Sequence, residues 1–159
     1  MRRPIMTNTS KTMYLLGYAG VIPFLLLAVL VARDQPSFFY STIPLAVWLG
    51  IYAAVILSFL GAVSWGVALA NQAQLNTKQT NQLLYYGVVP SLLAWLSLLL
   101  PINLALAVMA GLIVLAYLVD LLLLAPCLPA TISSQYIRLR FHLSITVATL
   151  LLLSSIFAR

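Results

Sequence analysis

Five long apolar runs divide this chain, and they constrain its fold more than any other feature. Each run approaches the roughly 20 residues that an α-helix needs to cross a bilayer core of about 30 Å. A backbone in lipid must pair its own N–H and C=O groups, so runs of this length favour helices over open strands. The pattern predicts an all-α, five-transmembrane-helix bundle with helices over residues 13–32, 43–70, 83–100, 104–124 and 143–158.

The composition leaves little material for a water-facing domain. Charged residues make up 6% of the 159 residues and apolar residues 64%, whereas soluble domains carry about a quarter of their residues as charges. We therefore expect a single integral membrane domain over residues 1–159. The segment 131–141, in which apolar and aromatic residues surround two arginines, is predicted to lie along the inner interface as an interfacial segment.

Few residues of the types that carry chemistry are present. One cysteine, Cys127, cannot close a disulfide within the chain, and one histidine, His142, cannot supply a paired-imidazole site. A catalytic set of Asp120, His142 and a serine such as Ser133 or Ser144 is conceivable, but no nucleophile motif accompanies the serines. We expect a non-enzymatic protein with no catalytic residue, metal, cofactor or nucleic-acid partner.

The positive charges predict the orientation of the chain. Lysine and arginine collect on the cytoplasmic side of membrane proteins, and here the alternate loops separate them clearly. A cytoplasmic N-terminus and an outside C-terminus put most of the basic residues on the inner side. The inner set is Arg2, Arg3, Lys11, Lys78, Arg138 and Arg140, and the outer set is Arg33 and Arg159. The predicted location is the bacterial inner membrane, ahead of the mitochondrial inner membrane.

Small residues recur at every fourth position along the second predicted helix. Such residues let helix backbones approach closely in lipid, where the hydrophobic driving force is weak. Because the row drifts around the helix by about 40° per step, it faces several neighbours in turn. The row predicts a central helix, with chance clustering of alanine and glycine as the alternative. The helix-packing residues are Gly50, Ala54, Ser58, Ala62 and Gly66, with Ala46 and Ala70 at the ends of the row.

Prolines occur within two of the predicted helices, at Pro23 and Pro90. A proline in a helix removes one backbone hydrogen bond and bends the axis, so we expect a kink at each position. Two interpretations stay open. The kinks are ordinary features of membrane helices, or they open a cavity between helices.

Asp120 is the one charged residue inside an apolar run, about one helical turn from the predicted inner interface. An acid in a membrane segment is costly and normally faces a partner or water. The topology places Trp65, Arg138 and Arg140 on the same side, and Tyr117 lies three residues earlier on the same helical face. We interpret this candidate polar cluster first as a structural ion pair, second as a ligand or headgroup anchor, and third as a proton or ion relay.

Several stretches of the chain are similar to one family of small membrane proteins. They are residues 17–25 (GYAGVIPFL), 52–66 (YAAVILSFLGAVSWG) and 90–101 (PSLLAWLSLLLP), and Asp120 with residues 136–140 (YIRLR). Together they resemble the domain of unknown function 3429 family, which has bacterial members and a mitochondrial relative. The most specific piece is SFLG followed by Trp65 and Gly66. The resemblance implies five helices and an inner membrane, and it brings no established activity.

Two functions stand as hypotheses. The row of small residues and the scarcity of catalytic residue types favour an accessory or assembly subunit, which packs against larger membrane complexes or against itself. The alternative is a carrier or sensor for a hydrophobic small molecule. Such a ligand is expected between the proline-kinked helices, with Trp65, Tyr117 and Asp120 at the mouth of the site.

Overall fold

The computed structural model describes residues 8–34 and 42–158 and folds them into helices. A π-helical turn, Asp120–Leu124, and a short 3₁₀ turn, Ala125–Cys127, follow the fifth helix. No strand occurs in the described ranges, which confirms the all-α prediction for them. The helices are α1 (Asn8–Ala19), α2 (Ile22–Ala32), α3 (Leu45–Ala70), α4 (Thr77–Ser97), α5 (Ile102–Val119) and α6 (Ala130–Phe157).

Several segments are long and apolar enough to cross a membrane. Large apolar side chains also cover the outside of these segments, for example Leu15, Phe59 and Leu122. A surface of this kind fits lipid and not water. By length and composition the candidate spans are Ser10–Ala32, Leu45–Ala70, Ile102–Cys127 and Ala130–Phe157.

The first predicted helix is divided into α1 and α2 at Gly20 and Val21. Pro23 stands in the first turn of α2, where a missing N–H costs the helix no bond. The structure therefore differs from the predicted kink, because the helix ends before the proline instead of bending at it. Tyr52 on α3 donates a hydrogen bond to the Gly20 carbonyl over 3.0 Å, so the break has a polar partner within the bundle.

α3 contacts α2, α4 and α5, as expected for a central helix. The predicted row of small residues turns from the inside to the outside along it. Gly50 is buried, Ala54 and Ser58 are half-buried, and Ala62 and Gly66 are exposed. This drift is what a four-residue row produces on a helix of about 3.6 residues per turn. A Cβ on Gly66 would meet no atom within 4 Å, so this position packs against no neighbouring helix.

α3 and α4 approach each other closely at Gly61 and Gly87. A Cβ on Gly61 would overlap the Gly87 carbonyl, and a Cβ on Gly87 would overlap the indole ring of Trp65. The Trp65 indole N–H also donates to the Leu84 carbonyl over 2.9 Å. Both positions need glycine because each presents its backbone directly to the neighbouring helix.

α4 begins at Thr77, earlier than the predicted residue 83. The Asn76 side chain accepts a hydrogen bond from the Gln79 N–H over 2.9 Å, and the Gln79 side chain accepts one from the Asn76 N–H over 3.2 Å. This capping box satisfies two backbone donors and starts the helix within the polar stretch. Pro90 lies inside α4 and is buried.

α6 is one helix of 28 residues, roughly 42 Å long at about 1.5 Å per residue. The segment 131–141, for which an interfacial position is predicted, forms the first turns of α6. Pro129 stands just before the helix, and no proline or glycine occurs from Ala130 to Phe157, so nothing interrupts the backbone bonds. The predicted helix 104–124 likewise begins at Ile102 and changes to the π-helical turn at Asp120.

The apolar core lies between α2, α3, α5 and α6, whereas α1 packs mainly on α6. Since α1 has no broad contact with α3, space is left between them. The largest apolar side chains that are fully buried include Phe24, Leu49, Leu57, Leu106, Met109 and Leu151.

Candidate functional site

Asp120 is the centre of a buried polar group that we call the Asp120 cluster: Asp120, Arg140, Tyr136 and Tyr86. The carboxylate accepts hydrogen bonds from Arg140 Nε over 2.8 Å, from Tyr136 Oη over 3.1 Å and from Tyr86 Oη over 3.4 Å. Asp120 is fully buried and Arg140 is 5% exposed. The cluster therefore joins α4, α5 and α6 away from solvent.

Local structure positions these side chains. Asp120 opens the π-helical turn at the end of α5, and turns of this kind occur frequently at functional positions. Tyr136 and Arg140 are four residues apart on α6, so they share one face of the helix. Tyr86 reaches across from α4, where its hydroxyl also lies 3.1 Å from the Ala116 carbonyl.

The Asp120 cluster has the composition of a structural anchor. Burying two charges is costly and is offset only when the pair has good geometry and additional hydrogen bonds. Arg140 supplies the short ion pair, and the Tyr136 hydroxyl donates an additional bond to the carboxylate. The single Tyr86 O–H is shared between the carboxylate and the Ala116 carbonyl. The ionised pair is neutral overall, which suits an apolar bundle.

Only part of the predicted polar cluster is brought together. Asp120 and Arg140 are in contact. Trp65 packs on α4 instead, and the Tyr117 ring lies tilted by 59° against the Phe141 ring of α6, with the ring centroids 5.7 Å apart. Arg138 is exposed. Lying on the same side of the membrane thus did not suffice to predict which residues contact Asp120. The contacts depend on the direction in which each side chain leaves its helix.

Tyr86 and Tyr136 belong to the site, although neither is among the residues predicted for it. Tyr136 lies four residues before Arg140, and this spacing places both side chains on one face of a helix. The spacing could therefore have predicted that Tyr136 joins Arg140 at the site. Tyr86 had no such signal, since it lies 34 residues from Asp120 on another helix. Its role depends on how α4 packs against α5.

The described residues gather neither a metal site nor the catalytic set considered above. Across residues 8–34 and 42–158, no three His, Cys, Asp or Glu side chains meet as a metal-binding group. His142 is exposed, whereas Asp120 is enclosed by its tyrosine and arginine partners. The Asp120 cluster therefore lacks the base that a serine nucleophile needs.

A cavity of about 420 Å³, which we call the lateral cavity, is lined by α1, α2, α3 and α6 and, through Ile113, by α5. Its volume falls in the range of about 300–1,000 Å³ that is usual for small-molecule sites. Leu16 on α1 and Phe59 on α3 line it and are 66% and 64% exposed, so it opens sideways to the surroundings of the bundle. The side chains that line it are apolar except for Tyr136, Arg140 and Ser144, which lie on α6.

Two polar atoms among the residues of this wall are buried without a hydrogen-bond partner. They are Arg140 Nη2 and Ser144 Oγ. Buried polar groups in folded proteins are nearly always hydrogen-bonded, so such atoms require an explanation. Arg140 thus uses Nε for the Asp120 cluster and retains a further N–H donor beside the lateral cavity.

The lateral cavity does not lie where the kinked helices were expected to open one. α4, which contains Pro90, contributes no residue to its lining, and Trp65, Tyr117 and Asp120 are also absent from it. The break between α1 and α2 does border it, through Gly20 and its neighbour Val21.

Comparisons with known proteins agree with the resemblance seen in the sequence. The family profile described as "Protein of unknown function (DUF3429)" matches residues 9–156. Transmembrane protein 69 of Xenopus tropicalis is 37% identical over 92 residues, which cover 58% of this chain and 34% of that protein. The match thus covers about a third of that relative's length. No solved structure matches the chain.

These matches and the apolar helices identify a membrane protein. The profile covers nearly all of the described residues, including both the Asp120 cluster and the lateral cavity. We conclude that the chain belongs to the DUF3429 family of proteins of unknown function, as its sequence motifs predicted.

Proposed function

We propose that this protein is a non-enzymatic, five-pass membrane protein that binds a hydrophobic small molecule in the lateral cavity. The observation that carries the proposal is the cavity itself. Its apolar wall opens sideways between helices that are apolar enough to span a bilayer, at Leu16 and Phe59. A hydrophobic molecule could enter it from lipid without crossing water.

The proposal of five passes depends on α4, whose first turns are polar. α4 runs antiparallel to α3, with Leu84 bonded to Trp65 at one end and Leu98 beside Gly50 at the other. The stretch from Leu84 to Leu98 covers roughly 20 Å at about 1.5 Å per residue. Because α3 is itself a candidate span, α4 crosses most of the same depth. Its outward side chains are apolar and include Val88, Val89, Leu92 and Leu96.

The proposed orientation, with the N-terminus cytoplasmic, is supported by where the described cations lie. Ser10 on α1 donates to Gln135 on α6 over 2.7 Å, so these helices begin at the same end of the bundle. α4 and α6 both run away from the end at which they meet Asp120. This end carries Lys11, Lys78, Arg138 and Arg140, and the other end carries Arg33; Arg2, Arg3 and Arg159 lie outside the described residues.

The inner membrane of a bacterium remains the proposed location, because the cation-rich end matches the inward side of such proteins. Within it, the Asp120 cluster serves to hold α4, α5 and α6 together. Arg140 Nε and the Tyr136 hydroxyl donate to the carboxylate, and the Tyr86 hydroxyl is shared between it and the Ala116 carbonyl, so these contacts favour an anchor over a relay. The accessory or assembly role, by packing on larger complexes or by self-association, stays a prediction.

Native mass spectrometry tests the proposal on full-length protein extracted with its surrounding lipids in polymer-bounded membrane discs. We expect a small hydrophobic molecule bound one to one. Leu16→Trp should lower the bound fraction, because a larger side chain at the cavity edge blocks access. Leu15→Trp is the matched control, since Leu15 is equally exposed and lines no part of the cavity.

Two results would contradict the binding role. One is an absence of any bound small molecule, and the other is equal retention by the two tryptophan variants. A polypeptide that co-purifies in place of a small molecule would instead support the accessory role.

A further inference from the structure

The two unpartnered polar atoms beside the lateral cavity indicate what kind of ligand it takes. Arg140 and Ser144 are 5% and 3% exposed, and both line the cavity. Arg140 Nη2 carries N–H donors only, and Ser144 Oγ can donate as well. Since the two residues are four positions apart on α6, their side chains lie on one face of the helix.

The ligand that matches these donors carries no net charge. Arg140 is the only charged residue in the described lining, and Asp120 already balances its charge over 2.8 Å. A carboxylate or phosphate beside them would bury a second negative charge near Asp120 without a new cation, which is strongly unfavourable. A carbonyl oxygen accepts hydrogen bonds without adding charge.

The rest of the cavity accommodates an apolar tail. From Arg140 the lining continues along α6 to Val147, a distance of roughly 10 Å at about 1.5 Å per residue. Apolar side chains of the other helices, among them Phe24 and Ile56, complete this part of the wall. The polar atoms are therefore confined to one wall of an otherwise apolar space.

We propose that the lateral cavity binds an uncharged amphiphile whose carbonyl oxygen is held by Arg140 Nη2 and Ser144 Oγ. This inference rests on the proposed function and names the chemical class of its ligand. The ligand is a molecule separate from the bilayer phospholipids, because a phospholipid would bring a charged headgroup to the neutral Asp120–Arg140 pair.

Three probes that share a hydrocarbon chain test the headgroup. Full-length protein in phosphatidylcholine nanodiscs is supplied with hexadecane, methyl hexadecanoate or hexadecanoate, and native mass spectrometry measures the bound fraction. Each hydrogen bond to the carbonyl should increase retention by about two- to tenfold. We therefore expect methyl hexadecanoate to be retained more strongly than both the hydrocarbon and the carboxylate.

Two serine variants provide the matched pair. Ser144→Ala removes one donor and should lower retention of methyl hexadecanoate by about two- to tenfold. Ser154→Ala is the control, because Ser154 Oγ is also buried without a partner on α6 but does not line the cavity. Arg140→Lys keeps the cation for Asp120 and removes Nη2, so it should lower retention as well.

Each outcome decides a separate point. Equal retention of all three probes, preference for hexadecanoate, or unchanged retention in Ser144→Ala would overturn the headgroup assignment and leave the binding role intact. Retention of nanodisc phosphatidylcholine in place of the ester would also overturn it. If none of the probes is retained, the proposed function itself is wrong.

Discussion

Replacing Gly61 with alanine tests the close contact between α3 and α4. The new Cβ would overlap the Gly87 carbonyl oxygen and lie 3.2 Å from the carbonyl carbon, so the two backbones must move apart. A backbone cannot rotate away as a flexible side chain can. Overpacking of this kind costs about 1–3 kcal/mol. A gap of about 0.5–1 Å also forfeits about a quarter to a half of each dispersion contact along the opened interface.

Gly66→Ala is the matched control for this substitution. It makes the same change on the same helix, at a site where the new Cβ meets no atom within 4 Å. Both changes raise helix propensity by about 1 kcal/mol, so that contribution cancels between them. We expect Gly61→Ala to be less stable than Gly66→Ala by about 1–3 kcal/mol. Far-UV circular dichroism in mixed micelles of increasing SDS content measures this difference, and equal stability of the two variants would refute the reasoning.

Three further predictions use equally simple measurements. Asp120→Asn leaves a buried guanidinium without its counter-charge and should lower the free energy of unfolding by about 3–5 kcal/mol in the SDS titration. Arg138→Met, on the exposed surface, is its control and should change that free energy by less than about 0.5 kcal/mol. Similar values for the two variants would argue against the buried ion pair. Tyr52→Phe removes the donor to the Gly20 carbonyl and should cost about 0.5–1.5 kcal/mol. Tyr85→Phe, whose side chain is 75% exposed, is its control and should be neutral. Reporter enzymes fused to the termini should place the N-terminus in the cytoplasm and the C-terminus outside, and both termini in one compartment would contradict five passes.

The apolar runs predict helices because a chain in lipid has few ways to pair its backbone N–H and C=O groups. The helix boundaries are harder to predict where polar residues cap a helix, because polar residues are also typical of loops. Asn76 and Gln79 form a capping box that the sequence contains, yet both lie between the predicted helices 43–70 and 83–100. The arginines of the segment 131–141 predict an interfacial position, and since no residue in it interrupts a helix, it is continuous with the rest of α6.

The site was predictable only where its residues stand out along the chain. Asp120 stands out as a charge within an apolar run, and Arg140 as a cation near the same predicted interface. The position of Trp65 could not be read in this way, because its ring takes the space that Gly87 leaves open on another helix. The lateral cavity was equally unpredictable from the sequence, since it depends on α1 packing against α6 without a broad contact to α3.

The central claim is that the lateral cavity holds an amphiphile, and photolabelling tests it most directly. A fatty methyl ester with a diazirine on its tail is added to the full-length protein in nanodiscs, and tandem mass spectrometry identifies the labelled residues. We predict labels on Leu16, Phe59 and Leu143, because these residues line the cavity. Excess methyl hexadecanoate, present during irradiation, should reduce the labelling of these residues. Labels spread evenly over the exposed residues Leu92 and Leu115, and unaffected by the competitor, would contradict it.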